Sequence, residues 1–439
     1  MQSASAGRHE VTPFGYTEPT RRAPDNQDQG IEVARERGRS LADQSRCGAA
    51  PVHAGALTVV VVESEEDLCH HADAWQDLAD NAIEANVFYE PWLLRPALQT
   101  LNPGTPLRLV FIYETDSPAT PGHSRLCGFF PLEPDRRFRK SPIRAWRLWK
   151  HLHCFLCTPL IRPERARETL AALLQWAGAD GSAHMLDFSY VRGDGPFHDL
   201  LMGHVNEAGA VQCVTNRFAR ALWKAGQDLE SYLQSTLSAS ARKEYRRQRK
   251  RLGELGRLEF RTLQDGGEVD GWLEEFMGLE SSGWKAREGQ ALALSDDQRT
   301  FVCAAAQMGF ARGQMLLQGL FLDGRPVAML LRFLSGSGGF AFKIAYDEAL
   351  AKYSPGVQMM LDILVCLHSD SRIDWMDSCA EPDHPMINRL WKDEKVIESV
   401  LVSTGHWLGD LAVSVFPAGQ RLVRLFRGLA SVRALHALR

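Results

Sequence analysis

The chain has 439 residues, of which 45% are hydrophobic and 24% are charged, and its formal net charge is −4. Because single domains mostly run to about 100–200 residues, this length predicts two globular domains plus tails. The small net charge excludes a global positive field that recruits nucleic acid, and nine cysteines without a repeating spacing argue against a small disulfide-framed secreted domain.

The N-terminal residues 1–52 predict a disordered leader, because they are rich in Ser, Gln, Arg, Asp and Pro and have few periodic apolar positions. They contain no apolar segment typical of a signal peptide, and no later run reaches ~18 uncharged apolar residues. We therefore expect a cytoplasmic protein that is at most peripheral to the inner membrane.

Residues 53–225 predict a first α/β domain, in which strands and helices alternate. The strand candidates are 57–62, 107–113, 127–132 and 184–189. A helical pattern follows the first strand, and a second helix is predicted from about 163 to 177.

Residues 226–405 predict a second α/β domain. The helix candidates are 229–255, about 269–281, 295–312 and 355–369. The strand candidates are 258–263, 314–322, 327–334, 339–346 and 373–377. The three central strands predict an antiparallel meander, and the last helix lies between two strands as in a βαβ unit.

Residues 406–439 form a basic amphipathic tail. A helix packed on its own domain is the favoured interpretation, ahead of a helix that contacts a membrane surface or a synthase.

Five segments of the second half resemble GNAT-family acetyltransferases of the CelD/BcsL type. They are SASARKEYRRQRKRLGELGRLEF, LESSGWKAREGQALAL, LFLDGRPVAMLL, FKIAYDEALAKYSPGVQMM and WMDSCAEPDHPMINRLWKDEK. In the first half, VFYEPWLLRPAL, GFFPL and CTPLI are similar to the GNAT-like half that precedes the acetyltransferase domain in that family. The resemblance implies tandem GNAT-like domains, each a mostly antiparallel sheet with a βαβ crossover. It also implies acyl-CoA-dependent transfer, in a class associated with cellulose and other exopolysaccharide synthesis.

The start of the helix at 355 is the predicted donor site, formed by Ser354, Pro355, Gly356, Val357 and Gln358. The glycine-rich pyrophosphate signature of GNAT proteins is absent there. Free N–H groups and the positive end of a helix dipole can still bind a phosphate, and Gly356 permits close backbone approach. The alternative is a plain helix start with Ser354 as N-cap. The βαβ context favours a site for acetyl-CoA or another acyl-CoA, without a metal.

The candidate catalytic residues are Asp377, Tyr346, Asp347 and His384. Asp377 ends a strand at the carboxyl edge of the sheet, so it is the first choice as base or acceptor binder. Tyr346 would protonate the departing thiolate and Asp347 would orient the acceptor, although both are also common turn residues. His384 forms a carboxylate–imidazole pair with Asp383 and ranks second as a base.

The candidate acceptor-binding residues are Trp284, Lys285, Lys343 and Asp383. Trp284 would stack on a sugar and Lys285 would meet an anion, although most loop lysines are simply solvated. Lys343 lies between apolar neighbours on a strand, so it needs a partner, either Asp377 or a substrate anion. The expected acceptor is an amine or hydroxyl of a sugar or polysaccharide precursor.

Two further motifs have competing interpretations. The basic run at 242–251 would bind an anionic polymer or the coenzyme phosphates, or it is the solvated face of a helix. The segment HLHCFLC at 151–157 holds a Cys-x-x-Cys without a second such pair, which favours a buried cluster over a zinc site.

Two other functions compete with acyl transfer from coenzyme A. Fem-type ligases also pair two GNAT-like domains and take an aminoacyl group from tRNA, which the basic helix would then bind. The third function is a non-catalytic GNAT-like binding protein of a polysaccharide synthase system. Nucleic acid is not expected as a partner under the leading hypothesis.

Overall fold

The computed structural model describes residues 53–418, apart from 55–56, 103, 115–124, 136–137, 139–142, 180–182, 284–286 and 290. The predicted leader and most of the predicted tail lie outside these residues. The described residues belong to one compact unit. Among them, no helix is both long and apolar enough to cross a bilayer.

The strands and helices alternate along most of the chain. The strands are His53–Ala54 (β1), Leu57–Val62 (β2), Arg108–Glu114 (β3), Leu126–Asp135 (β4), Ala145–Leu148 (β5), Leu160–Ile161 (β6), Met185–Arg192 (β7), Gln212–Lys224 (β8), Leu258–Thr262 (β9), Met315–Leu322 (β10), Arg325–Ser335 (β11), Gly338–Tyr346 (β12), Trp375–Asp377 (β13) and Asp393–Ser403 (β14). The helices are Glu65–Cys69 (α1), Ala72–Asp80 (α2), Pro91–Thr100 (α3), Ala166–Ala179 (α4), Pro196–Glu207 (α5), Leu229–Thr236 (α6), Ala239–Gly253 (α7), Val269–Ser281 (α8), Asp296–Ala311 (α9), Pro355–Ser369 (α10), Ile387–Leu390 (α11) and 407–418 (α12).

One mixed sheet contains all of these strands. Its order is β1-β2-β3-β4-β5-β7-β14-β8-β13-β12-β11-β10-β9, and β6 pairs with β4. Two neighbouring pairs are parallel, β5 with β7 and β12 with β13, and each is connected through a helix, α4 and α10 respectively. The other pairs are antiparallel. The predicted α/β fold, mostly antiparallel with βαβ crossovers, is therefore confirmed.

The final strand of each half pairs with strands of the other half. β14 lies between β7 and β8, and β8 lies between β14 and β13. Both β8 and β14 are absent from the sequence-based prediction. The sheet runs continuously across the two halves and so does not mark a boundary between them. The domain boundary at 225/226 stays a prediction.

The predicted helix at 229–255 is two helices, α6 and α7. Ser238 interrupts them, because its side chain accepts a hydrogen bond from the Ala241 N–H and so starts a new helix. Asp228 caps α6 in the same way through Ser231 N. The break changes the direction of the chain before the basic run.

The second-half sheet buries a separate core on each face, as the alternating strand residues require. Leu331 faces the core shared with α8 and α9, whereas the adjacent Leu330 faces the core shared with α6 and α10. This arrangement places α10 on one face of β12 and β13 and the first half of the chain against the other.

Candidate functional site

Strands β12 and β13 run side by side and then separate. They pair only from Gly338 to Phe340 on one strand and from Trp375 to Asp377 on the other. β12 then continues beside β11 to Tyr346, whereas β13 ends. A gap at the carboxyl end of parallel strands is a common place for a ligand. We call it the second-half gap.

Strand β12 contains one extra residue beside this gap. Leu331 is opposite Lys343 and Arg332 is opposite Ala341, so Phe342 has no opposite residue on β11. Such a bulge leaves backbone N–H and C=O groups outside the hydrogen-bonded ladder between the strands and changes their direction. A backbone N–H pointing into a gap is the kind of donor that stabilises a developing oxyanion.

The start of α10 has no side-chain cap. Ser354 occupies the N-cap position in the left-handed conformation, with φ 53°, and its side chain accepts no hydrogen bond from the helix. Pro355 is the first helical residue, as predicted. A Cβ at Gly356 would lie 3.4 Å from Met386 Sδ and 3.5 Å from Tyr346 Cδ1. The helix start therefore lies next to the Tyr346 ring.

Helix α7 packs along this helix start. Gln358, which is fully buried, donates from Nε2 to the Tyr245 carbonyl at 3.1 Å, and Arg249 pairs with Asp362 at 2.9 Å. Gln358 Oε1 is buried at this contact without a hydrogen-bond partner among the described residues, and Gln248 Oε1 and Arg242 Nε on α7 are buried and unpaired as well. Unsatisfied buried polar atoms are uncommon in native proteins, which makes this junction a candidate for a bound polar group.

The outer face of α7 is strongly basic. Its exposed cations are Lys243, Arg246, Arg247, Lys250 and Arg251. They face solvent, whereas Tyr245 and Arg249 on the other side of α7 contact α10, so the basic face contributes a positive potential around this junction.

Tyr346 and Asp347 leave β12 at the same edge as the helix start. Burial and the nearby Glu348 carboxylate raise the pKa of Tyr346, so its phenol stays protonated at neutral pH. Asp347 accepts a hydrogen bond from Ala349 N at 2.9 Å and lies 3.6 Å from Arg325. Tyr346 therefore retains a proton to donate, whereas Asp347 stabilises the following turn.

Asp377 is fully buried where the two strands part. Arg220 Nη2 donates to its Oδ2 at 2.6 Å, and Lys395 Nζ lies 3.0 Å from the same oxygen. Burial alone would raise the pKa of Asp377, but the two cations lower it to about 2. We call Asp377, Arg220 and Lys395 the buried triad. A carboxylate held in this way is a weak base, although its predicted catalytic role stays a prediction.

The other candidates lie in different surroundings. His384 Nδ1 accepts long hydrogen bonds from the N–H groups of Met386 and Ile387, both at 3.4 Å, at the start of α11. Asp383 is exposed. Lys343 is half-buried, and its Nζ lies 6.0 Å from the centre of the Phe342 ring. Trp284 and Lys285 lie outside the described residues.

Sequence reasoning missed Arg220, Lys395 and the bulge at Phe342. The first two carry a detectable signal, because each is a cation beside apolar residues, in FARALW and in KVIESVLV. A buried cation needs a partner, and that need could have linked both strands to Asp377. The bulge carries no comparable signal in the sequence.

The corresponding gap in the first half is filled by the chain itself. β5 and β7 pair only at 145–147 and 185–187, and the chain from Trp149 to Thr158 then lies against the free end of β7. Cys157 N donates to the Tyr190 carbonyl at 2.9 Å, and Arg192 N donates to Thr158 Oγ1 at 3.0 Å. The first-half gap is therefore closed to a ligand.

The HLHCFLC segment is part of the chain that occupies the first-half gap. Its two histidines and two cysteines are buried, and the Sγ atoms of Cys154 and Cys157 are 3.7 Å apart. Burial lowers the pKa of His151 to about 3 and that of His153 to about 2, so both rings are neutral. Among the described residues, no cluster of His, Cys, Asp and Glu has the arrangement of a metal site.

Part of the second half is similar to a known protein family. Residues 239–383 match the model of the family described as the acetyltransferase (GNAT) domain. This match starts at the first residue of α7 and includes the second-half gap, the start of α10 and Asp377. No curated protein sequence matches the chain.

Several solved structures are similar to the chain at low identity. The C-terminal domain of a putative lysylphosphatidylglycerol synthetase from Agrobacterium fabrum is 12% identical, covers 79% of this chain and 95% of its own, and gives a TM-score of 0.45. FemX is 10% identical, with 78% and 96% covered and a TM-score of 0.48. A tandem GNAT protein from the clavulanic acid biosynthesis pathway is 13% identical, with 80% and 99% covered and a TM-score of 0.39. Residues 239–383 are therefore similar to the acetyltransferase (GNAT) domain family.

Proposed function

We propose that the protein transfers an acyl group from acyl-CoA to an amine or hydroxyl of a sugar or polysaccharide precursor, with acetyl as the leading candidate for the acyl group. The observation that carries the proposal is the uncapped start of α10, which adjoins the basic helix α7 inside the GNAT domain. An uncapped helix start offers free N–H groups, and the nearby arginines add charge-assisted contacts to phosphates.

The donor substrate would lie with its phosphates at Ser354–Gln358 and its thioester in the second-half gap. Attack by the acceptor nitrogen or oxygen forms a bond to the thioester carbon and places negative charge on the carbonyl oxygen. The bulge at Phe342 supports a backbone N–H that stabilises this charge. When the carbon–sulfur bond breaks, Tyr346 is the proposed proton donor to the leaving thiolate, because its ring lies against the start of α10 at the edge of the second-half gap.

For the acceptor we retain the residues proposed from the sequence. Asp377 and His384 are the candidates for taking the acceptor's proton, Asp347 for orienting the acceptor, and Trp284, Lys285, Lys343 and Asp383 for binding it. A role in cellulose or other exopolysaccharide synthesis rests on the CelD/BcsL resemblance. Transfer to a carbohydrate amine or hydroxyl is the corresponding chemistry.

The first test is calorimetric titration of the full chain with acetyl-CoA and with coenzyme A. We expect saturable binding to the wild type and a loss of affinity of about 100-fold or more in Gly356→Trp, because Gly356 is buried against Met386 and the Tyr346 ring and an indole there would displace the start of α10. Arg246→Glu, on the exposed face of α7, is expected to weaken binding about tenfold without affecting folding. Gly278→Trp controls for the added indole, since Gly278 is an exposed helical glycine with open space around it, and thermal melts establish that Gly356→Trp is folded.

Two outcomes would contradict the donor site. Wild-type protein that binds neither ligand would exclude coenzyme A as the donor carrier and favour the non-catalytic binding protein. Wild-type affinity in both Gly356→Trp and Arg246→Glu would place the coenzyme elsewhere.

The exposed basic face of α7 also favours a second candidate, a Fem-like aminoacyl transferase that uses tRNA. That function predicts tRNA binding whose affinity falls steeply with salt, since each phosphate contact releases a counterion. Saturable tRNA binding in the absence of acetyl-CoA binding would favour this candidate.

We also propose that the C-terminal segment contacts an anionic membrane surface. On α12 the side chains of Trp407, Leu411 and Val415 are spaced four residues apart and are 66%, 54% and 53% exposed. The sequence after α12 carries arginines and neither Asp nor Glu; these arginines are Arg421, Arg424, Arg427, Arg433 and Arg439. An apolar stripe followed by cationic residues is typical of segments that bind anionic lipid surfaces.

Sedimentation with phosphatidylglycerol vesicles tests this contact. We expect the full chain to bind such vesicles and to be released by high salt, and Leu411→Glu to weaken binding about tenfold because one inserted apolar side chain is lost. Val365→Glu is the control, since Val365 is another exposed helical residue, on α10. Equal binding to uncharged phosphatidylcholine vesicles, or no vesicle binding at all, would contradict the proposal.

A further inference from the structure

A cavity of about 790 Å³ lies in the first half of the chain. Its walls come from the end of β2, from α3 and from the first residues of β3 and β5. It touches Arg144 and the first two residues of β5, Ala145 and Trp146, before the point at which β5 and β7 separate. The volume is in the range of small-molecule sites, about 300–1,000 Å³. The cavity is distinct from the filled first-half gap, and its lining lies entirely outside residues 239–383.

One wall of the cavity carries a cation without an acidic partner. Arg95, on α3, has a buried Nε that makes no hydrogen bond, and its Nη2 lies 3.3 Å from Cys69 Sγ. Among the described residues, no ion pair joins Arg95 to a carboxylate. A buried donor without an acceptor is unfavourable, so this guanidinium has an unused capacity to bind an anion.

The carboxylates that line the cavity all have partners. Glu63 pairs with Arg108 at 3.1 Å, Glu65 accepts a hydrogen bond from Gln99, and Asp135 pairs with Arg147 at 2.8 Å. Each of these negative charges is therefore either paired with an arginine or stabilised by a hydrogen bond. Arg108 and Arg144 also line the cavity, and Arg108 is paired with Glu63, whereas Arg95 has a buried Nε without a hydrogen-bond acceptor among the described residues.

Another part of the wall is apolar. Leu68, Leu98 and Leu107 line it, and the Trp146 ring lies below the Arg108 guanidinium at 4.8 Å. An apolar patch next to a cation without a carboxylate partner suits a ligand that has an apolar body and one negatively charged group.

We propose that this cavity binds a small organic anion, with its carboxylate, sulfonate or phosphate group on Arg95 and its apolar body against Leu98 and Leu107. The site is separate from acyl transfer. It gives the first half a binding function of its own, although the gap of that half is filled.

The test is titration of the full chain with the arylsulfonate 8-anilinonaphthalene-1-sulfonate, followed by fluorescence and by calorimetry. We expect one saturable site per chain and about tenfold weaker binding in Arg95→Gln, because charge-assisted hydrogen bonds are lost. Leu98→Trp, which fills the cavity, is expected to weaken binding similarly. Arg261→Gln is the matched control, because Arg261 lies over the Phe321 ring at 4.8 Å in a different cavity. Thermal melts establish that each variant is folded.

An uncharged probe, N-phenyl-1-naphthylamine, separates anion binding from apolar binding. It is expected to bind more weakly than the sulfonate and to be insensitive to Arg95→Gln. Equal affinity for the two probes, unchanged sulfonate binding in Arg95→Gln, or absence of a saturable site would overturn the proposal. Acetyl-CoA binding should be unaffected by Arg95→Gln, so failure here is distinguishable from failure of the donor site.

Discussion

Replacing Asp377 by asparagine is expected to lower the free energy of unfolding by about 3–5 kcal/mol. Asparagine keeps the shape of the side chain but removes the charge, which leaves Arg220 and Lys395 without a carboxylate. Both cations are only 3% exposed, so water cannot replace the lost partner. Urea unfolding followed by tryptophan fluorescence measures the loss.

The double variant Asp377→Asn, Lys395→Met is the control. Of the two cations that Asp377→Asn leaves without a carboxylate, it replaces Lys395 with an apolar side chain of similar length. Part of the lost stability should therefore return. An Asp377→Asn variant that unfolds at the wild-type urea concentration would show that the buried triad contributes nothing to stability.

The pH dependence of stability gives an independent check. The pKa of Asp377 is about 2 in the folded chain, below the value of ~3.9 expected in the unfolded chain. The stabilising effect is therefore fully present above about pH 4 and is lost as the pH falls toward 2. Asp377→Asn should lack this part of the acid dependence, whereas Lys395→Met should retain it in reduced form.

The same variants separate the structural and catalytic roles of Asp377. If the double variant folds and transfers acyl groups at the wild-type rate, Asp377 is not the base. If it folds and still binds acetyl-CoA but does not turn over, the catalytic hypothesis is supported.

Local patterns predicted much of the second half. The meander β10-β11-β12 and the helix at 355–369 were predicted because apolar spacing, turn glycines and Pro355 all indicate the same elements. The break between α6 and α7 was missed because Leu233 and Leu237 continue a helical spacing across it. Ser238 was the available signal, since serine is a common N-cap.

Contacts between distant segments could not be predicted from local patterns. Asp377 meets Arg220 and Lys395 only because β8 and β14 cross to the centre of the sheet. A pattern of alternating residues can indicate a strand, but it does not say which strand lies beside it. The filled first-half gap was missed for the same reason, since its hydrogen bonds join residues 157 and 158 to 190 and 192.

Expressed separately, residues 53–225 and 226–439 are expected to fail to fold, whereas coexpressed they should assemble. Both neighbours of β8 in the sheet, β13 and β14, belong to the second half. Both neighbours of β14, β7 and β8, belong to the first half. Each half alone would therefore end in a strand without a partner, and exposed strand edges promote aggregation.

Solubility, circular dichroism and urea unfolding of the single and coexpressed halves measure this effect. The matched control is the full chain with a protease site inserted at 225–227, in the connection between β8 and α6. After cleavage, this protein should stay folded, because the strand pairing does not depend on the covalent connection. A first half that is soluble alone and unfolds cooperatively would instead establish 225/226 as a boundary between independent domains.

The pairing of β8 and β14 with strands of the other half also limits which fragments of the chain can be active. The family match covers residues 239–383, yet Asp377 within it depends on Arg220 from β8 and Lys395 from β14, both outside the match. A fragment restricted to the matched residues would leave a buried carboxylate without either cation and the second-half gap without its neighbouring strand. We therefore expect acetyl-CoA binding in the coexpressed halves and none in the fragment 239–383. Full affinity in that fragment would show that the donor site needs neither strand.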